Sequence, residues 1–393
     1  MQEELLEETI AKENPALGRK LKGLRHLDKR WKELVQSENE EQKIREKPKI
    51  AIVYDVEGWA FHNIAKEIKK NLAEDFDITI LPKAAFDDNV VKMLLLAKHF
   101  ELMHVMWRGM FSELKCDYLQ NYMKILGFEQ EEFREKYVKG NVLTTSVYDH
   151  SFLNPEAFWI TESFLDCVKA YTVSSEKLLN IYQNLSIPLK PYGEISDGVD
   201  LEKFQPRNLE RFQNIGNRKV RIGWVGNSKF LDSENDEDLK GVRSIINPAI
   251  DELIEEGYPI EKNFADRNVK MIPHSEMPNY YETIDVYVCA SKQEGTPNPV
   301  LESMACGIPV ISTDVGIVTE ALGEKQKALI LKERTKEELK EKIKQLLASP
   351  NLWQELSKEN LERIQNWSWS KKCEQFKQFF SETLKRGKTN EEK

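Results

Sequence analysis

The chain has 393 residues, 40% of them hydrophobic, and a net charge of −9. Its length suits two domains with ordinary cores, and its acidic balance excludes a nucleic-acid binder held by bulk electrostatics. Five scattered cysteines (Cys116, Cys167, Cys289, Cys306, Cys373) have neither disulfide nor zinc spacing, and no apolar run approaches the ~20 residues of a membrane span.

Residues 1–47 are dominated by Glu and Lys. Leu17, Leu21, Leu24, Leu27, Trp31 and Leu34 recur at three- and four-residue steps, which predicts an amphipathic helix. Gly18 and Gly23 interrupt the stripe, so docking on its own domain is favoured over a coiled coil; self-association through this segment stays open. The charged start is unlike a secretion signal. A soluble cytoplasmic protein is expected, with contact at the inner face of the membrane allowed.

From Pro48 the pattern changes. Lys49–Tyr54 reads as a buried strand, followed by the loop Asp55–Trp59 and a helix near 61–73. Strands at Asp77–Leu81, Glu101–Trp107, Val142–Val147 and Ala170–Ser174 follow, and Tyr192–Val199 closes this half. Strands alternating with helices predict a parallel sheet covered on both faces. A polar stretch, 201–218, links to a second series whose strands are expected near 220–225, 268–272, 284–289, 308–312 and 328–331. Helices are expected near 335–348 and 351–386, the latter with Trp353, Trp367, Trp369, Phe376 and Phe379 to bury. The fold class is therefore α/β, with two doubly wound domains and a cleft between them. Ligands in such sheets bind beyond the carboxyl ends of the strands, and Gly58, His150, Gly226 and Glu294 each follow a predicted strand.

The richest run is Glu294–Ser312, EGTPNPVLESMACGIPVIS. Glu294 sits in a loop with Gly295, Thr296, Pro297 and Asn298, and Glu302 follows a first helical turn of Pro299, Val300 and Leu301. Gly307 ends the helix and Pro309 blocks its return. A helix N-terminus has free N–H groups and suits a phosphate. A carboxylate on each side suits hydroxyls, and phosphate flanked by hydroxyls describes a nucleotide sugar.

Other constellations carry two readings each. Gly226–Asn227–Ser228–Lys229, with Lys240–Gly241, is either a phosphate site or a solvated loop. His150 reads as a sugar contact or as a satisfied structural residue. Gly58 and Trp59 form either a close approach with a ring that stacks on a sugar, or an ordinary turn. In Met271–Met277 the backbone near Ile272 can meet a nucleobase edge, while His274, Ser275 and Glu276 can simply cap the next helix. Asp236–Glu237–Asp238 can hold a divalent cation, with a plain acidic loop as the default. The basic face Lys66, Lys69 and Lys70 suits an anionic surface or is merely solvated. No G-x-x-x-x-G-K-S/T loop, G-x-S-x-G elbow or G-x-G-x-x-G turn is present.

Together these residues resemble the retaining glycosyltransferases of family four, which have the GT-B fold. The resemblance spans roughly 48–386 and is carried by Glu294–Gly316, by Asp197–Asp200 with Phe204 and Pro206, and by Gly226 and Lys240–Gly241. It implies two facing Rossmann-like αβα domains: 48–200 on the acceptor side and 219–365 on the nucleotide-sugar side. A helix in 366–393 would cross back to the first domain, and 1–47 would be a helical extension. It implies catalytic roles for Glu294, His150 and Lys240. Glu294 would bind hydroxyls of the transferred sugar, Lys240 would stabilise the diphosphate, and Glu302 would hold the ribose. Donor contacts would also come from Gly226, Lys229 and Ile272, and acceptor or sugar contacts from Gly58 and Trp59. This chain has Thr296, Pro297 and Asn298 where the family often has Phe, Gly and Leu. Pro297 and Pro299 donate no N–H, so Thr296, Asn298 and Val300 are expected to supply the remaining backbone donors. Lys229 stands near where the family commonly has Arg.

The implied reaction moves a hexosyl group from a nucleoside-diphosphate sugar to an acceptor hydroxyl with retention, in cell-surface glycan or glycolipid synthesis. The acceptor would be a glycan, a lipid-linked molecule or a small molecule. The sugar nucleotide is a co-substrate, and no metal or other cofactor is implied. Competing readings are a GT-B epimerase or hydrolase, and a non-catalytic GT-B scaffold.

Overall fold

The structure, a computed structural model, describes Lys22, Lys29 and residues 47–229 and 238–391. The leucine stripe of 1–47 and the acidic pair Asp236–Glu237 lie outside the described residues. The chain divides into two units. The first runs to Val173 and takes in Tyr182–Gly193 and the chain from Cys373 onward; the second is Ser174–Ile181 and Glu194–Lys372.

Each unit is built on a five-stranded parallel sheet. In the first, β1 (Lys49–Tyr54), β2 (Asp77–Pro82), β3 (Leu102–Val105), β4 (Leu143–Val147) and β5 (Ala170–Val173) stand in the order β2-β1-β3-β4-β5. In the second, β6 (Val220–Gly226), β7 (Ile260–Asp266), β8 (Val286–Cys289), β9 (Val310–Thr313) and β10 (Ile330–Leu331) stand in the order β10-β9-β8-β6-β7. Read from the other edge this is the same succession, so the units share one topology without a repeated sequence. Strands β3, β4, β5, β8 and β9 are buried along their whole length, as parallel strands covered on both faces must be.

One expected strand is displaced. Residues 268–272 form a turn and loop, and the strand is β7, eight residues earlier at its start. Only Ile260 and Ala265 of β7 are buried. As the sheet's edge, β7 pairs only with β6, in register from Val220↔Ile260 to Gly226↔Asp266. An edge strand keeps a solvated flank and needs no apolar run, so its polar sequence IEKNFAD hid it.

The helices that matter most for function are α1 (Ala60–Leu72), α2 (Met277–Glu282), α3 (Asn298–Ala305) and α4 (Trp369–Glu391). From Cys373 on, α4 packs Phe376, Phe379 and Phe380 around the buried His104 ring of β3, at centroid distances of 6.2, 6.3 and 5.5 Å. Polar stretch 201–218 is also structured: Phe212 and Ile215 are buried beside Trp224 and Trp353 in one of the second unit's cores. Arg211 and Arg218 are anchored on the buried Asp285 just before β8, with Arg218 at 2.6 and 2.7 Å and Arg211 at 3.2 Å.

A carboxyl in the second unit provides a pH readout of this packing. Glu320 accepts the Glu176 amide at 3.0 Å. Burial first, then the charges of Glu194 and Glu176, push its pKa from 4.5 up to about 7, with Lys372 opposing. A carboxyl raised in the fold is stabilising below its unfolded value, and that contribution is lost as pH rises through the folded value. Glu320→Gln is therefore expected to raise Tm relative to wild type at pH 8, and to leave it unchanged near pH 4. After discounting for solvent screening the gain is on the order of 1 kcal/mol, or about 2–4 °C. A difference that is constant across pH would show that Glu320 does not titrate in this range.

Candidate active site

The order of the second sheet sets the location. The strand order reverses between the parallel neighbours β6 and β8, whose register runs through Ile222↔Val286 and Gly223↔Tyr287. At such a switch point the loops leaving the two strands separate and open a crevice. Gly226 ends β6, and the loop to Glu294 leaves β8.

Lys240 and Glu294 meet there. Lys240 Nζ donates to Glu294 Oε1 at 2.5 Å, with the two side chains 23% and 19% exposed. The approach is dictated by the surrounding backbone. The Lys292 amide donates to the Leu239 carbonyl at 2.8 Å. Gly241 has φ +71°, and a Cβ there would lie 2.4 Å from the Ala290 carbonyl oxygen. Arg334 donates through Nε to the Ala290 carbonyl at 2.8 Å and through Nη2 to that of Asp238. Asp238 accepts the amides of Gly241, Arg243 and Ser244 at 2.9, 2.7 and 2.8 Å and the Ser244 hydroxyl at 3.0 Å. Burial alone would raise the Asp238 pKa, but these hydrogen bonds outweigh it and hold it below its ordinary value. Asp238 thus caps the turn that follows Lys240. Among the described residues no group of three or more His, Cys, Asp or Glu side chains is placed to hold a metal ion.

Helix α3 has Pro299 in its first turn and ends in a paired motif: Gly307 (φ +72°) donates to Met304 at 3.0 Å and Ile308 to Ser303 at 2.9 Å. Thr296 Oγ1 accepts the Asp197 amide at 3.2 Å, and Asn298 Nδ2 donates to Asp197 Oδ2 at 3.4 Å. Asp197 belongs to a stretch that is itself pinned, since the Val199 amide donates to Trp367 at 2.8 Å and Trp369 donates back at 3.2 Å. The Val300 amide is already bonded to the Pro297 carbonyl at 2.8 Å. This corrects the expectation that Val300 offers a free backbone donor: the tight first turn takes it.

Glu302 lies on α3 with only 11% of its side chain exposed. Its Oε2 accepts from the Tyr281 hydroxyl at 2.6 Å, and its Oε1 pairs with His274 Nε2 at 3.1 Å. Complete burial, then the charge of Glu302, push the Tyr281 phenol far above its ordinary pKa, so it stays a donor. The residues read as helix caps do not cap: α2 has no side-chain cap bond. His274 faces Glu302 instead.

The remaining predicted residues are less tightly gathered. Gly226 donates no side chain because a Cβ would lie 2.8 Å from the Trp224 ring. Asn227 accepts from the Lys229 amide at 3.0 Å and from Asn268 at 2.5 Å, so this turn is organised. Lys229 itself is exposed, at the end of a described stretch. Ile272 is half-buried against the core that contains Tyr281 and Val300. In the first unit, Gly58 (φ +75°) donates its amide to His62 Nδ1 at 2.8 Å, and Trp59 is 38% exposed just before α1. His62 stacks on Tyr54 at 4.4 Å. His150 is exposed, next to Asp149, whose carboxylate is held at 2.7 and 3.1 Å by the buried Arg108. Phe61 at the start of α1 packs on Tyr148, 5.2 Å between centroids, which ties the Trp59 turn to the His150 loop.

Sequence reading overlooked Tyr281, Lys203, Arg334 and Arg108, and read Asp238 only as part of an acidic loop. Each of the overlooked residues acts by touching a residue 21 or more positions away, and no local spacing announces such a contact. Gly316 is the exception, since it closes the Glu294–Gly316 run.

Two units of order 2-1-3-4-5, with a cation and two carboxylates at the switch point of the second, define a GT-B-type α/β protein. Residues 255–363 match the model of the glycosyl transferases group 1 family. It is similar to the capsular polysaccharide biosynthesis glycosyltransferase CapM of Staphylococcus aureus, 24% identical over 210 residues, 48% of this chain and 53% of that one. The chain spans between a fifth and about half of the length of the curated relatives it matches first. Among solved structures it resembles sucrose-phosphate synthase from Thermosynechococcus elongatus, with TM-score 0.60 at 15% identity over 86% of this chain and all of that one. It also resembles Anabaena HepE in complex with UDP and glucose, with TM-score 0.58 at 12% identity over 85% and 99%. At these identities the likeness is one of fold.

Proposed function

We propose that the protein is a retaining glycosyltransferase that moves a hexosyl group from a nucleoside-diphosphate sugar to an acceptor hydroxyl in glycan synthesis. One observation carries this reading: Lys240 and Glu294 lie side by side at the switch point, 2.5 Å apart. A cation next to a carboxylate matches a molecule whose diphosphate adjoins a ring of hydroxyls. As the glycosidic bond breaks, negative charge grows on the departing diphosphate, and a fixed ammonium there lowers the barrier. Glu294 would accept from sugar hydroxyls, Glu302 from the ribose, and Ile272 would lie against the base. Lys229 would be a second cation for the phosphates, and Gly226 would let backbone approach them. His150, Gly58 and Trp59 would serve the sugar and the acceptor. Leaving-group stabilisation, not a covalent intermediate, is the chemistry these groups favour. The likeness to CapM supports a cell-surface glycan as the product class, and the UDP bound by HepE supports a nucleoside-diphosphate donor.

A thermal-shift panel of nucleotides and nucleotide sugars tests the reading, because a ligand of the native state raises Tm by mass action. Nucleoside diphosphates and their sugars are expected to raise Tm by several degrees, and the matching nucleosides by much less. A panel in which no nucleotide moves Tm would refute it. Donor consumed equally fast without any acceptor would favour an epimerase or hydrolase.

A further inference from the structure

We propose that Lys203 and His274 are positioning residues that aim the Glu302 carboxylate at a vicinal diol of the nucleotide's ribose; the inference rests on the nucleotide-sugar reading above. The hydrogen-bond chain starts in the turn after Val199. Asp200 Oδ1 accepts the Glu202 and Lys203 amides, both at 3.0 Å. This turn directs Lys203 to His274, where Nζ lies 2.7 Å from Nδ1. An ammonium only donates, so Nδ1 is the acceptor and the ring proton sits on Nε2. Nε2–H then donates to Glu302 Oε1 at 3.1 Å. Lys203 therefore selects the tautomer that Glu302 needs.

Packing holds the same geometry. Phe204 lies against both rings that face Glu302, 5.6 Å from His274 and 5.9 Å from Tyr281 between centroids, and the Lys203 ammonium sits 5.0 Å from the Phe204 ring. Each Glu302 oxygen thus accepts one protein hydrogen bond, His274 on one and Tyr281 on the other. A carboxylate has about four lone-pair sites. One on each oxygen is left for two adjacent hydroxyls, and the carboxylate is prevented from rotating away from them. A neutral imidazole, unlike a second cation, leaves the negative charge to the incoming hydroxyls.

Calorimetric titration of the full chain with UDP, ADP and GDP, each beside its 2′-deoxy form, tests this. Wild type is expected to prefer the ribo form of its best nucleotide by roughly tenfold to a hundredfold, as for a hydrogen bond to a charged group. Lys203→Met and His274→Leu should each cut that preference by about threefold or more. His274→Gln, whose amide N–H can donate where Nε2 did, should restore it. All three should keep Tm within about two degrees of wild type, since His274 is 46% exposed. If Glu302→Gln lowers the preference while Lys203→Met and His274→Leu leave it intact, the positioning role is wrong and the ribose role stands. If Glu302→Gln also leaves it intact, or wild type binds none of the nucleotides, the underlying reading fails and takes this inference with it.

Discussion

Glu294→Ala is expected to lower sugar transfer by about 10²–10³-fold, as removal of one preorganised transition-state contact does elsewhere, with Tm little changed. The substitution removes the group proposed to hold the transferred sugar, and with it the carboxylate that Lys240 bonds at 2.5 Å. Lys240 is 23% exposed, so water replaces part of the lost contact and the fold survives. Lys240→Ala should also slow transfer, but mainly through kcat. Charge on the leaving diphosphate peaks in the transition state, so a cation there is used mostly in the step and less in binding. Near-normal turnover by Glu294→Ala would remove the sugar role. A Lys240→Ala enzyme altered only in KM would remove the leaving-group role.

Gly316→Ala should be the most damaging change at a residue that contacts no substrate. A Cβ at Gly316 would lie 1.8 Å from the Gly295 carbonyl oxygen and 3.0 Å from that of Glu294, and the residue has φ +49°. Both obstacles are backbone, so no side-chain rotation relieves them. The loop bearing Glu294 has to move, or the turn after β9 has to open. Steric overlap and left-handed strain together cost on the order of 3 kcal/mol, which corresponds to a fall in Tm of roughly 6–12 °C. Donor binding should weaken with it, because Glu294 is displaced. Gly216→Ala is the control: nothing lies within 4 Å of its Cβ position and its φ is ordinary, so Tm should stay within about a degree. A Gly316→Ala protein with wild-type Tm and nucleotide affinity would show that the two loops are not locked together.

Helix α3 was legible because its punctuation is local. Pro299 at the start and Gly307 at the end are read from single positions, and Glu294 and Glu302 follow from their offsets to them. The parallel sheets were legible because buried strands such as Lys49–Tyr54 and Val286–Cys289 are continuous apolar runs. Strand β7 was not, since an edge strand tolerates polar residues on its open flank. His274 was read as a cap because Ser275 and Glu276 beside it have capping chemistry, yet its partner Glu302 is 28 residues further on. Asp238 looked like part of an acidic loop, and only the folded turn turned its carboxylate toward the amides of Gly241, Arg243 and Ser244.

The amino-acid order on its own determined the βα rhythm, the start and stop of the helix that follows Glu294, and the residue types able to meet phosphate and hydroxyls. These depend on backbone preferences and periodic burial within a few residues of each other. Tertiary structure alone decided that Lys240 pairs with Glu294, that Arg334 clips the loop between them, and that Lys203 dictates which nitrogen of His274 carries the proton. Those contacts join segments 44 to 96 positions apart, with Lys203 and His274 separated by 71. A side chain's reach is settled by how the sheets and turns bring such segments together, which no local pattern encodes.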